Sequence, residues 1–239
     1  MILKIGSRGE QVKLLQEKIG ATPDGDFGPG TETKLKAWQS ANGLTADGIA
    51  GPATLGKMGI PPTATPVPPP TFRLENLRGH IPDSVIAQIP DTAAKFNITN
   101  VLRLTHFLSQ CAHESGNWVY RTEIASGQLY EGRRDLGNTQ PGDGVRFKGR
   151  GYIQTTGRAN YKRFSDFIGE DCVANPNLIA DKYPMMSAAF FFNSNNLWTI
   201  CDRGADDATV TALTRRVNGG LNGLQDRLRH FRKYYELLR

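Results

Sequence analysis

The sequence is short of cysteine, of clustered histidine and of long apolar runs, and each shortage closes off a class of function. Only three cysteines occur in 239 residues, Cys111, Cys172 and Cys201, widely spaced and odd in number. That pattern excludes a disulfide framework and offers no CxxC metal pair, so buried free thiols are expected. The four histidines, His80, His106, His113 and His230, form no HExxH and no compact ligand set. His106 and His113 stand seven apart, about two helical turns, which is not a chelating spacing. No metal and no organic cofactor is expected, and His113 is expected to fix local structure by hydrogen bonding. Nothing approaches eighteen consecutive apolar residues, so no transmembrane helix is available. The start, MILKIGSRGEQ, lacks the charged opening, apolar run and cleavage site of a signal peptide. Synthesis in the cytoplasm is therefore expected, with action elsewhere depending on release by something other than a leader.

What is present is a globular composition, 38% hydrophobic and 22% charged, with a formal charge of +6. Residues 1–60 hold seven basic and six acidic side chains, so most of the excess lies in the rest. A mild basic excess suits a polyanion, whether nucleic acid, anionic membrane or bacterial wall polymer, and does not choose among them.

Proline marks the one sharp boundary. PPTATPVPPPT, residues 61–71, has six prolines in eleven residues. Such a run continues no helix and joins no central strand, so a polyproline II spacer is expected between two domains, 1–60 and 72–239. Residues 1–60 carry three helix signals. Ser7 and Glu10 form a capping box ahead of Val12, Leu15 and Ile19, with Gly20 as a stop. Pro29 opens a second helix with Leu35 and Trp38, and Pro52 a third with Leu55 and Met58. DGDFGPGT at 24–31 returns as DGIAGPAT at 47–54, a turn-to-helix device used twice. This pattern resembles the first type of peptidoglycan-binding module found on bacterial and phage wall hydrolases. The resemblance implies wall binding without catalysis. Trp38, spaced helically from Leu35, is expected in the core and not as a sugar platform.

The larger segment is patterned for helices, and its chemistry centres on AHESGNWVYRTE, residues 112–123. Val101, Leu104, Leu108 and Cys111 recur at three and four, giving an amphipathic helix that ends at Gly116. Glu114 falls in its last turn, where the helix dipole disfavours a negative charge. With apolar Trp118 nearby, a protonated carboxyl suited to general acid work is expected. Glu123 lies beyond the break, in a loop where water and polar groups keep it ionised. Two carboxyls in unlike surroundings suit glycosidic cleavage, although that pair alone equally fits solvated surface. FKGRGYIQTTGRANY, residues 147–161, adds Tyr152, Gln154, Thr156 and Asn160 behind two glycines that allow close backbone approach. VNGG brings Asn218 to a tight turn, before a closing helix with Arg227.

In this order, AHES, GRGYIQTT and VNGG resemble glycoside hydrolase family 19 over roughly residues 75–239, its lysozymes more than its plant chitinases. The resemblance implies a mainly α, lysozyme-like catalytic domain after a small three-helix wall-binding domain, with bacterial peptidoglycan as partner. It implies Glu114 as general acid, Glu123 as second catalytic carboxylate and Thr156 as the hydroxyl holding the attacking water. Gln154 and Asn160, with Tyr152 beside them, fall on substrate-binding positions. Asn218 and Arg227 line the cleft, the arginine tuning the carboxylates. Inversion, the family's outcome, implies carboxyls about 6.5–9.5 Å apart. The short segment between the glutamates and the missing disulfide cysteines depart from plant chitinases. Rival expectations are a lytic transglycosylase, a chitinase and a wall-binding protein without turnover. Nucleic acid is not an expected partner, and a monomer is the default. AAFFFNSNNLW, residues 188–198, is expected as core helix. In the last helix, Leu228, Phe231 and Tyr235 make an apolar face, and Arg229, Arg232 and Lys233 could touch anionic wall or membrane polymer.

Overall fold

The computed structural model describes residues 3–60 and 72–239. Residues 61–71, where the polyproline spacer is expected, lie outside the described residues. The chain divides into two compact units, Met1–Pro68 and Pro69–Arg239. Both are helical, and β structure among the described residues is limited to isolated bridges.

The first unit holds α1 (Glu10–Lys18), α2 (Pro29–Ala41) and α3 (Pro52–Lys57). α2 and α3 open on their prolines, which lack the N–H that a first turn leaves unused. The capping box expected for α1 does not form. Gly9 is the N-cap and no side chain caps the helix. Ser7 is already engaged in a tight turn, where its hydroxyl accepts from the Lys4 N–H at 3.0 Å. Val12, Leu15, Phe27, Leu35, Leu55, Met58 and Ile60 form the core, and Trp38 packs half-buried against it.

The doubled turn is a doubled hydrogen-bond network. Gln16, 1% exposed, donates from Nε2 to Asp24 Oδ1 (2.7 Å), the Asp26 carbonyl (3.0 Å) and Thr31 Oγ1 (3.1 Å). Its Oε1 accepts from the Gly25 N–H at 2.8 Å. Gln39, 23 residues on and equally buried, donates to Asp47 Oδ1 (3.0 Å), the Ile49 carbonyl (3.0 Å) and Thr54 Oγ1 (3.2 Å). It accepts from the Gly48 N–H at 2.9 Å. A buried amide that satisfies a turn's free groups locks the turn to the helix behind it.

The second unit contains α4 (Asp83–Ile86), α5 (Ile89–Phe96), α6 (Val101–Glu114), α7 (Asp143–Arg146), α8 (Arg158–Ile168) and α9 (Leu178–Asp181). α10 (Pro184–Ser194), α11 (Trp198–Cys201), α12 (Asp207–Asn218) and α13 (Leu224–Leu238) follow. Asn100 caps α6, its side chain accepting from the Arg103 N–H at 2.8 Å. α6 is the central rod, with Leu104, Phe107, Leu108, Cys111 and Ala112 all buried. Full burial of each large side chain contributes about 1.5–3 kcal/mol before the chain entropy it opposes. Phe107 meets Phe192 of α10 edge-on, ring centroids 5.1 Å apart, and Tyr234 and Leu238 bring α13 into the same cluster. The expected core role of residues 188–198 holds for Ala188, Ala189, Phe192 and Trp198, while Phe190 and Phe191 are only half-buried. All three cysteines are free and buried. On α13, Arg229 pairs with Asp226 and Arg232 with Asp207, which neutralises much of the expected basic face.

Candidate active site

Glu114 is the last residue of α6 and is 25% exposed at its side chain. Its Oε1 receives the Arg227 Nη2 donor, and the Arg227 side chain is 0% exposed. The same guanidinium donates through Nη1 to Gln110 Oε1, one turn earlier on α6, and through Nε to the Asn222 carbonyl at 3.4 Å. Gln110 and Glu114, four residues apart, share one helix face, so one planar fork grips both. The expected apolar surroundings for Glu114 are thus replaced by a buried cation. Oε2 has no hydrogen-bond partner among the described residues.

A second link runs parallel to the first. His113 Nδ1 bonds Asp226 Oδ2 at 2.7 Å, so consecutive residues His113–Glu114 face consecutive residues Asp226–Arg227 across the two helices. Burial works against the Asp226 carboxylate, but the His113 bond and the nearby His230 and Arg229 outweigh it and hold its pKa below the usual range. Gly223, the N-cap of α13 at φ +69°, lets the His113 ring lie against the backbone. A Cβ there would stand 2.0 Å from the ring. The expectation that His113 fixes local structure is consistent with this bracing.

After α6 the chain makes an unusual reversal. Gly116, Asn117 and Trp118 have φ of +57°, +58° and +70°. Left-handed backbone costs an L-residue about 1–2 kcal/mol, so something must hold this turn. Ser115 does so: its hydroxyl donates to the Cys111 carbonyl at 2.7 Å and accepts from the Trp118 N–H at 2.9 Å. Trp118 is then buried, its indole N–H donating to the Tyr234 hydroxyl at 3.3 Å and its ring meeting Tyr152 edge-on.

The reversal delivers Glu123 to the 149–156 loop. The Glu123 N–H donates to the Gly149 carbonyl at 2.8 Å, and the Gly149 N–H returns a bond to Glu123 Oε2 at 2.9 Å. Oε1 accepts from the Tyr130 hydroxyl at 3.0 Å. Burial and the adjacent carboxylate raise the Tyr130 pKa, keeping that donor protonated. A Cβ on Gly149 would come within 2.6 Å of Gln154 Oε1 and 3.2 Å of Glu123 Oε2, so a side chain there would push at least the Gln154 amide aside. Glu123 therefore sits among neutral donors, and Glu114 beside a fixed cation. Among the described residues no hydrogen bond joins the two carboxylates.

Gln154, Thr156 and Asn160 line one cavity of about 300 Å³ between the 153–156 loop, α8 and α10, which includes neither glutamate. Gln154 borders both places. It holds φ +55°, donates to the Gly151 carbonyl at 3.0 Å and keeps a buried Oε1 without a protein partner. The Thr156 hydroxyl donates to the Gln154 carbonyl at 2.8 Å, so its oxygen offers lone pairs outward. Asn218, exposed at the end of α12, donates to the Asn222 carbonyl at 3.2 Å, the acceptor Arg227 also uses. Two expected substrate contacts need correction. Tyr152 is 2% exposed, packed on Trp118, and Arg227 is fully buried. Core packing in one case and the three-way grip in the other leave neither side chain open to a sugar. Sequence reasoning missed Gln110, Tyr130 and Asp226. Gln110 alone had a local signal, its spacing of four from Glu114.

Comparison with known proteins bears on both units. The family model of a putative peptidoglycan binding domain matches residues 8–58. A glycosyl hydrolase family 19 domain-containing protein of Haemophilus influenzae is 27% identical over 185 residues, covering 64% of this chain and 88% of its own length. An endochitinase of Arabidopsis thaliana is 33% identical over 132 residues, 52% of this chain and 44% of the relative. The chain therefore spans less than half the length of that plant enzyme. Chitinase C from Streptomyces griseus, a solved structure, aligns with TM-score 0.47 and 22% identity over 62% of this chain and 61% of that one. Residues 8–58 are a peptidoglycan-binding module. The larger unit is similar to glycoside hydrolase family 19 domains, and its relatives indicate a glycoside hydrolase.

Proposed function

We propose that the chain hydrolyses β-1,4 glycosidic bonds of bacterial peptidoglycan, cutting between N-acetylmuramic acid and N-acetylglucosamine with inversion. The observation that carries the reading is the unlike anchoring of two carboxylates, Glu114 by the Arg227 cation and Glu123 by the Tyr130 hydroxyl and Gly149 N–H. Glu114 in its protonated form presents Oε2 to the glycosidic oxygen and gives it the proton as the bond to the anomeric carbon breaks, so the leaving sugar departs as an alcohol. Glu123 takes a proton from the attacking water, which the Thr156 oxygen orients by accepting its second hydrogen. Gln154, Asn160 and Asn218 hold sugar substituents. Arg227 orients Glu114 from behind, and the Trp118–Tyr152 contact fixes the segment leading to Glu123. The wall-binding module raises the effective concentration of glycan at the catalytic unit, and the chain works at the cell wall as a monomer without metal or cofactor.

The test is mass spectrometry of purified peptidoglycan after digestion and borohydride reduction, with Glu114→Gln alongside. Reduced N-acetylmuramic acid ends that vanish in the variant are expected. Anhydro-muramic ends would make the enzyme a transglycosylase, and reduced N-acetylglucosamine ends a glucosaminidase. Intact glycan with cleaved N-acetylglucosamine oligomers would make it a chitinase, the activity that its plant relatives' names carry.

A further inference from the structure

The cavity between α8 and α10 has a charge that the cleavage chemistry does not use. Thr156, Asn160 and Asn195 supply hydroxyl and amide groups to its wall, and Phe190 and Phe191 supply aromatic surface. Arg163 is the cation on the same wall, and no aspartate or glutamate lines it. Asn160 and Arg163 stand three apart on α8 and so share a face. The Arg163 guanidinium lies 6.0 Å from the Phe190 ring centroid and forms no ion pair among the described residues. Arg158, Arg227 and Arg232 of the same unit are by contrast ion-paired, to Asp143, Glu114 and Asp207. A neutral, hydrogen-bonding pocket of about 300 Å³ with one uncompensated guanidinium is built for a residue-sized group that carries a carboxylate. Its tie to the chemistry is Gln154, which lines the pocket and whose unpartnered Oε1 lies at Gly149, beside Glu123.

We infer that Arg163 is a specificity residue that engages a carboxylate borne by the wall glycan, either on the stem peptide or on the lactyl ether once the peptide is gone. This rests on the peptidoglycan reading above. It gives the site a means of separating that polymer from chitin, which is N-acetylglucosamine throughout and carries no carboxylate. The sugar contacts of Gln154 and Asn160 serve both polymers, whereas Arg163 serves only the charged one.

The test compares wild type, Arg163→Gln and Arg163→Lys on three substrates. These are soluble peptide-bearing glycan strands, the same strands stripped by an amidase, and neutral N-acetylglucosamine oligomers. Arg163 is exposed, so substitution leaves the core alone. For Arg163→Gln, the ratio of kcat/KM on charged over neutral substrate should fall about five-fold, through KM, as expected for a solvent-accessible ion pair. Arg163→Lys should recover part of it. A fall on peptide-bearing strands alone assigns the carboxylate to the stem, and a fall on stripped strands assigns it to the lactyl group. An unchanged ratio on both charged substrates overturns the inference while leaving muramidase activity standing. If wild type cleaves no peptidoglycan, the reading of the reaction fails instead. Calorimetry of a soluble muramyl peptide on Glu114→Gln, with and without Arg163→Gln, then decides the pocket: equal affinity overturns it.

Discussion

Replacing Gly223 by alanine tests how the two helices carrying Glu114 and Arg227 are braced. The new Cβ would stand 2.0 Å from His113 Cε1 and 2.1 Å from Nε2, less than any non-bonded contact allows. Position 223 also has φ +69°, which costs an alanine about 1–2 kcal/mol. Either the ring or the backbone must move. The ring is the softer of the two, and moving it breaks the 2.7 Å bond to Asp226, a charge-assisted contact worth about 1.5 kcal/mol at this partial exposure. The expected loss is therefore about 3 kcal/mol, or roughly 1–1.5 M in the urea midpoint for a slope near 2–3 kcal/mol/M. Trp118 and Trp198 report the larger unit once Trp38 of the smaller unit is replaced by phenylalanine. In a His113→Ala background the ring is absent, and the glycine substitution should cost only the backbone part. The double-mutant cycle should then return a coupling of about 1.5 kcal/mol. Equal cost in both backgrounds would refute the contact as the source of the loss. Because His113 adjoins Glu114, kcat on glycan should fall with the single substitution at 223.

Arg227→Met removes the cation behind Glu114 and leaves Gln110 facing apolar atoms. Stability should drop by about 3 kcal/mol, the low end for breaking a buried pair because Glu114 is partly exposed, and kcat should collapse more than KM changes. Asp143, 1% exposed, is held below its usual pKa, chiefly by the Arg158 bond working against burial, with Gln140 and Thr139 N–H groups helping. A depressed carboxyl stabilises the fold above the unfolded pKa of 3.8 and loses that contribution as pH falls through the lower folded value. Asp143→Asn should therefore lower the melting temperature near pH 7, with the gap to wild type narrowing below about pH 4. Gln39→Leu strands the Gly48 N–H and the Ile49 carbonyl, and should destabilise the small unit by about 2–3 kcal/mol, read from Trp38 fluorescence. The larger unit's transition should stay where it is.

Local signals were the legible ones. Pro29 and Pro52 mark true helix starts, because a missing N–H has one cheap place in a helix. The periodicity of α6 gives its buried face, and the glycine at 116 gives the break that separates the glutamates. Ser7 misled because a hydroxyl can serve a preceding turn as readily as a following helix, and no pattern in the sequence decides between them. Gln16 and Gln39 were visible, each eight residues before its D-G pair, but a buried glutamine means nothing until its partners are known. The pairing of His113–Glu114 with Asp226–Arg227 spans 113 residues and depends on how α13 lies along α6. Burial of Tyr152 and Arg227 is likewise a property of packing. Residue type alone recommended them for the cleft.

The two glutamine networks also bear on how the small unit can be moved between proteins. Leu3 bridges to Ala50, and the Gly6 N–H bonds the Phe27 carbonyl, so the opening segment is fastened to both turns. Val12, Leu15 and Phe27 from the first copy share one core with Leu35, Leu55 and Ile60 from later in the chain. Half a unit would bare that core and strand Leu3. The piece that recombination or an engineer can graft is thus the whole of it, and a cut made between the repeats yields two fragments with nothing to transfer.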